Sequence, residues 1–158
     1  MRRIILYMLL FVSVVCVGQA NKTLQDSIFQ KGDVVKLPNI LFYTCGPYFF
    51  TETQKDSIKL IADFLKTHKN YVVEISNHTD NRGTEKMNLL ISNERSEELK
   101  HALIRDFGID SARVANKGYG ETKPIISEAK IAKEKSKERK EELHAINRRC
   151  EMKILEIK

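Results

Sequence analysis

The apolar positions divide the chain into stretches of different period. Residues 4–17 are apolar almost without a break. Residues 21–36 are polar and weakly patterned, and read as a poorly packed lead-in or tether. Ile40, Leu41, Phe42 and Tyr43 mark a first strand over residues 38–43, broken at Gly46-Pro47, and Tyr48, Phe49 and Phe50 read as core. Thr51 and Gln54 have the spacing of a capping box. Ile58, Ile61, Ala62 and Leu65 then recur at helical spacing. Tyr71, Val73 and Ile75 alternate, as on one face of a strand. A polar turn leads into a second helix, which ends at Gly108, a left-handed cap. Residues 113–116 read as a short third strand, Gly118-Tyr119-Gly120 as a turn, and 150–154 as the last strand. This order predicts an α+β fold: a mixed four-stranded sheet with helices packed on one face.

Residues 127–145 differ in kind. Lys130, Lys133, Lys135, Lys137, Arg139 and Lys140 face Glu128, Glu134, Glu138, Glu141 and Glu142, and apolar residues are few. The pattern predicts an extra, solvated helix laced by charge pairs.

The second helix carries the informative face. Asn88, Ser92 and Arg95 share one side, and Leu99, Ala102 and Leu103 continue it. Asn93, Glu94, Glu97, Lys100 and His101 form the opposite, solvated side. The core-facing side is thus polar in its first half. A half-buried guanidinium needs a partner. For Arg95 that partner is either an internal carboxylate such as Asp80 or an anionic ligand, and the pattern alone leaves both open.

A longer series of residues bears on the choice. Asn77-His78-Thr79-Asp80, Gly83, Asn88, Ile91-Ser92 and Arg95 are followed by Gly108-Ile109-Asp110, Arg113-Val114, Gly118-Tyr119-Gly120-Glu121, Pro124-Ile125 and Asn147-Arg148-Arg149. In order and spacing this series resembles the OmpA-like (OmpA/MotB/Pal) peptidoglycan-binding domain, over residues 39–158 with 127–146 as a charged helical insertion. The resemblance implies non-covalent binding of peptidoglycan through the diaminopimelate of its stem peptide, without turnover. It implies that Asp80 meets the amine and Arg95 the carboxylate, which suits a carboxylate acceptor and a forked guanidinium donor. It places Thr79, Asn81 and Asn88 around the ligand, with Arg149 adding positive charge at the same end. Residues 43–46, Tyr-Thr-Cys-Gly, depart from the Asp or Asn usual in that loop. An envelope interaction module with an altered pocket therefore stands beside the wall-binding reading.

A wall hydrolase is the competing enzymatic reading. It needs a metal cluster, a nucleophile motif or a catalytic carboxylate pair, and the sequence offers none. His68, His78, His101 and His144 are scattered without ligand spacing. No cofactor motif is present.

Arg2 and Arg3 precede the apolar run, and Gly18-Gln19-Ala20 has small-x-small form. Residues 1–20 therefore read as a secretory signal peptide. The run of about 14 apolar residues is short for a membrane span, and Val15 before Cys16 speaks against lipid attachment. The whole chain of 158 residues has 27 Lys and Arg against 21 Asp and Glu. Loss of Arg2 and Arg3 takes the net charge from +6 to +4. A modest positive balance favours an anionic polymer, and export makes nucleic acid the wrong one. The expected place is the periplasm, at the outer-membrane side of a Gram-negative envelope. Cys45 and Cys150 survive processing and are free to pair in an oxidising compartment, but spacing does not decide it.

Overall fold

The computed structural model describes residues 22–26, 28–37 and 51–158. The leader at 1–20, the strand expected at 38–43, the 43–46 loop with Cys45 and the aromatic run at 48–50 lie outside the described residues. The elements are β1 (Val34–Leu37), α1 (Glu52–Thr67), β2 (Tyr71–His78), α2 (Glu85–Arg105), β3 (Val114–Gly120), α3 (Glu128–Ala132), α4 (Lys137–Asn147) and β4 (Arg149–Ile157). Among the described residues the strands form one sheet in the order β1-β4-β2-β3. β2 and β3 are parallel, while β4 runs antiparallel to β2 and to β1. The α+β class and the mixed four-stranded sheet are as the pattern predicted.

The lead-in does more than tether. Val35 and Leu37 alternate inward on β1 and are buried, and Phe29 packs edge-on to Phe64 at 5.2 Å. Gly32, at φ 96°, turns the chain so that its N–H donates to the Ile154 carbonyl at 2.8 Å. Three inward apolar side chains among many polar ones suffice to add an edge strand, and they are too few to register as a period.

The capping box at Thr51 forms as expected. Gln54 N donates to Thr51 Oγ1 at 3.3 Å, and Thr51 N donates to Gln54 Oε1 at 2.8 Å. Ile58, Ile61 and Leu65 of α1 are fully buried against Val73 and Ile75 of β2. Each such side chain contributes about 1.5–3 kcal/mol. Arg113 closes the far end of α1, donating to the carbonyls of Leu65 (2.9 Å), His68 (2.7 Å) and Tyr71 (3.0 Å).

The polar half of the inner face of α2 is explained by β3, the edge strand it covers. Gly120 N donates to Ser92 Oγ at 2.8 Å, and Gly118 N to Asn93 Oδ1 at 2.7 Å. Ser96 Oγ lies 2.9 Å from the carbonyls of Ser92 and Lys117 and accepts from Asn77 Nδ2 at 3.2 Å. These side chains give the outer edge of β3 the partners a further strand would supply. Gly118 lies within β3 rather than in the expected turn, while Gly120, the last residue of β3, takes a left-handed φ of 51° into a turn closed by Thr122 N donating to the Tyr119 carbonyl at 3.1 Å. A Cβ on Gly118 would sit 2.2 Å from the backbone nitrogen of Asn93, so its glycine is required by the close approach of α2. The charged segment is also corrected. It forms two helices, α3 and α4, because the chain breaks after Ala132 and Ser136 caps a new start by accepting from Arg139 N at 3.2 Å.

Candidate ligand-binding site

The topology gathers one set of polar residues at one end of the sheet. β2 and β3 are parallel, so both end there, and β4 begins there because it is antiparallel to β2. His78 pairs with Gly120 on one side and Arg149 on the other. Thr79 and Asp80 follow β2, Glu121 follows β3, and Arg148 precedes β4. Ligands commonly bind beyond the strand ends in such sheets.

Asp80 sits at the centre, its side chain 7% exposed. Its Oδ1 accepts from the backbone N–H of Arg82 at 3.1 Å, forming a tight Asx turn. Its Oδ2 accepts from Arg82 Nη2 at 2.7 Å and Nε at 3.1 Å, and from Arg148 Nη1 at 2.6 Å. Both guanidinium groups reach onward to Glu141 on α4. Arg82 Nη1 donates to Glu141 Oε2 at 2.8 Å, and Arg148 Nη2 to Glu141 Oε1 at 2.7 Å. The four groups close a ring of alternating charge. Burial pushes the Asp80 carboxyl up, but the hydrogen bonds from Arg82 and then Arg148 more than offset it and hold the pKa at about 2. Asp80 is therefore a buried anion at neutral pH. The hydrogen bond from Arg148 likewise pulls Glu141 below its ordinary value.

Asn88, at the first turn of α2, donates from Nδ2 to the Asp80 carbonyl at 3.2 Å and to Glu121 Oε2 at 2.5 Å. Thr79 N donates to the Gly120 carbonyl at 2.9 Å, while its buried Oγ1 has no hydrogen-bond partner among the described residues. Beside this ring lies a second cluster. Arg149 is buried and donates from Nε to Glu151 Oε1 at 2.6 Å and to the carbonyls of Asn147 and Lys123. His78 Nε2 is 3.2 Å from Glu151 Oε2, close enough for an ionic contact but too poorly aligned for a hydrogen bond. Its ring stacks on Tyr119 at 5.2 Å.

A family model described as the OmpA family matches residues 42–139. The chain belongs to the OmpA family. It is 31% identical over 103 residues to outer membrane porin F of Pseudomonas aeruginosa, covering 65% of this chain and 27% of that protein. It is 24% identical over 101 residues to a peptidoglycan-associated lipoprotein of Buchnera aphidicola, covering 64% and 58%. The chain thus spans about a quarter of the porin's length. Among solved structures, the cell wall anchor of the T6SS from Pseudomonas aeruginosa aligns with TM-score 0.57 and 25% identity, over 78% of this chain and 79% of that one. The periplasmic domain of Helicobacter pylori MotB aligns with TM-score 0.62 and 21% identity, over 82% and 86%, a likeness of fold. The OmpA-like domain family is one of non-enzymatic proteins. Among the described residues no helix is long and apolar enough to cross a membrane, and no group of three or more His, Cys, Asp or Glu is placed to hold a metal.

The OmpA-like domain brings Asp80, Thr79 and Asn88 together, with Asn81 exposed in the adjoining turn. Arg95 sits half-buried on α2, seven residues or about 10 Å beyond Asn88. It is engaged in an interaction, and Asp80 is held by Arg82 and Arg148. Arg149 serves the neighbouring cluster, and it is Arg148 that reaches Asp80. Three members of the ring, Arg82, Arg148 and Glu141, were not among the ligand-binding residues expected from the sequence. One signal was available for Arg148: Arg149 and Glu151, two apart on a strand, share a face, which leaves Arg148 for the other. Cys150 is a buried thiol, free among the described residues and paired in register with Leu37 and Asn77, while Cys45, the other half of the possible disulfide, lies outside the described residues.

Proposed function

We propose that this OmpA-like domain binds peptidoglycan non-covalently in the periplasm and tethers its protein to the wall. The ligand is the diaminopimelate of the stem peptide. Asp80 takes the ammonium and Arg95 the carboxylate, with Thr79, Asn81 and Asn88 lining the approach. One observation carries the proposal: Asp80 is a buried carboxylate, kept ionised, with its Oδ1 bound by a single backbone N–H. A buried anion with spare acceptor capacity suits an ammonium ligand. Thr79 Oγ1, without a hydrogen-bond partner among the described residues, adds a hydroxyl beside it. The family, and relatives named as a peptidoglycan-associated lipoprotein and a cell wall anchor, point the same way. Residues 1–20 act in this proposal as the export signal, cleaved after Ala20.

Co-sedimentation with purified sacculi containing diaminopimelate tests it. Wild type is expected in the pellet, Asp80→Asn in the supernatant, and no soluble wall fragments with either. Wild type remaining in the supernatant overturns the proposal, and released fragments would mean hydrolysis.

A further inference from the structure

We infer that the Arg82–Arg148 fork is a second carboxylate receptor of this site, and that Glu141 occupies it as an internal stand-in for the ligand. The inference rests on the wall-binding reading above and deepens it. The fork is observed holding a carboxylate. Glu141 Oε2 accepts from Arg82 Nη1 at 2.8 Å and Oε1 from Arg148 Nη2 at 2.7 Å, with Arg82 Nη2 also reaching Oε1 at 3.5 Å. Two guanidinium groups presented to the two oxygens of one carboxylate form a strong and directional anion site.

The two carboxylates of the ring are unequal. Asp80 is 7% exposed and Glu141 is 53% exposed. Removing Asp80 from its arginines would strand a buried charge, which is costly. Glu141, leaving the same arginines, swings into water and is solvated there. Its α4 anchor stays in place through Leu143 and Asn147, both buried. Asn147 accepts from Ile125 N and Ile126 N at 2.9 Å and does not depend on Glu141. The exchange conserves charge at the fork, since a ligand carboxylate replaces a protein carboxylate. Asp80 keeps its Oδ2 contacts to the arginines and offers Oδ1 to the ammonium.

A stem peptide carries carboxylates beyond the one assigned to Arg95, and the fork takes one of these. Glu141 then sets the affinity by competition. The ligand binds only the fraction of molecules in which the fork is open, and its apparent dissociation constant rises by the inverse of that fraction. Glu141 belongs to the charged segment at 127–146, so this segment gains a role as a brake on binding.

Calorimetric titration of the full chain with L-alanyl-γ-D-glutamyl-diaminopimelate tests the inference. Two further forms of that peptide are titrated, amidated at the glutamyl α-carboxylate or at the C-terminal carboxylate. Glu141→Gln keeps shape and removes charge at an exposed position. It is expected to bind the unmodified peptide about three- to tenfold more tightly than wild type, and to lose that gain with one of the two amides. Its thermal midpoint is expected to be equal or lower, since a scaffold contact has been removed. A merely structural Glu141 would lower affinity and midpoint together. Unchanged or weaker binding by Glu141→Gln, or a gain that survives both amidations, overturns the inference while leaving the wall-binding reading intact. No binding of any peptide by wild type overturns both.

Discussion

A single methyl group added at Gly118 probes how α2 is seated on the sheet. The Cβ of Gly118→Ala would lie 2.2 Å from Asn93 N and 2.5 Å from both Ser92 C and Ser92 Oγ. Two of these atoms are helix backbone, which no rotamer change can move aside. Ordinary contact begins near 3.4 Å, so α2 must retreat by about 1 Å. The retreat stretches the bonds from Gly118 N to Asn93 Oδ1 (2.7 Å) and from Gly120 N to Ser92 Oγ (2.8 Å). Overpacking costs about 1–3 kcal/mol, and each weakened hydrogen bond adds about 0.5–1.5 kcal/mol. The expected loss is about 3–5 kcal/mol, a large share of the roughly 5–15 kcal/mol that holds a domain together. Urea unfolding followed by circular dichroism reads it as a lower midpoint at unchanged slope. Gly108→Ala is the control: it meets nothing within 4 Å and only strains a left-handed φ of 67°, for about 1 kcal/mol. A loss below about 1 kcal/mol at Gly118 would refute the close approach of α2.

Two further outcomes follow from the buried groups. Burial raises the Glu151 carboxyl, but His78 and Arg149 more than offset it, and its pKa falls from 4.5 to about 2; that of Asp80 falls from 3.8 to about 2. Both folded values lie below the unfolded ones, so their stabilisation is complete above about pH 5 and is lost as pH falls through the 4.5 to 2 window. At 1.36 kcal/mol per unit each contributes about 2–3 kcal/mol, and urea midpoints from pH 6 to 3 should fall less steeply in Glu151→Gln; an identical slope would count against its depressed pKa. Burial pushes the Cys150 thiol well above its ordinary range, so mass-spectrometric mapping should find it alkylated only after denaturation, and labelling in the native state would contradict its position in the core.

The sequence made the fold legible where one physical demand dominated a stretch. Ile58, Ile61, Ala62 and Leu65 show the helical period because α1 buries one face against the sheet. Thr51 and Gln54 announce the cap because no other spacing closes both bonds. The misreadings came where two demands compete. Gly118 carries turn composition, yet it lies within β3 because α2 needs its missing side chain. Ser127–Asn147 shows charge alternation throughout, and nothing in that alternation marks the break between α3 and α4. β1 rests on Val35 and Leu37, and the strand it pairs with, β4, comes more than a hundred residues later.

The site was legible to the same degree. Asp80, Thr79 and Asn88 were legible through the resemblance carried by the Asn77–Asp80 turn and the polar face of the second helix, since Asp in a turn is by itself an ordinary structural choice. Arg148 and Arg149 are adjacent and chemically identical, and only the register of β4 assigns one to Asp80 and the other to Glu151. Arg82 looks like an exposed turn residue and becomes part of the site through the Asx turn that brings it back onto Asp80. Glu141 is one acid among many in a charged segment, and of its two partners Arg148 is near but Arg82 is distant in sequence.

The proposed clamp of Asp80 and Arg95 is tested most directly by ligand discrimination. A stem peptide with lysine in place of diaminopimelate still offers an ammonium to Asp80 and lacks the carboxylate for Arg95. A hydrogen bond to a charged group contributes about 1.5–3 kcal/mol, so the lysine peptide should bind wild type roughly ten- to a hundredfold more weakly. Arg95→Ala should remove most of that preference, and Asp80→Ala should weaken both peptides. The measurement is calorimetric titration of the three proteins with both peptides at one salt concentration. Equal affinity of wild type for the two peptides would contradict the clamp.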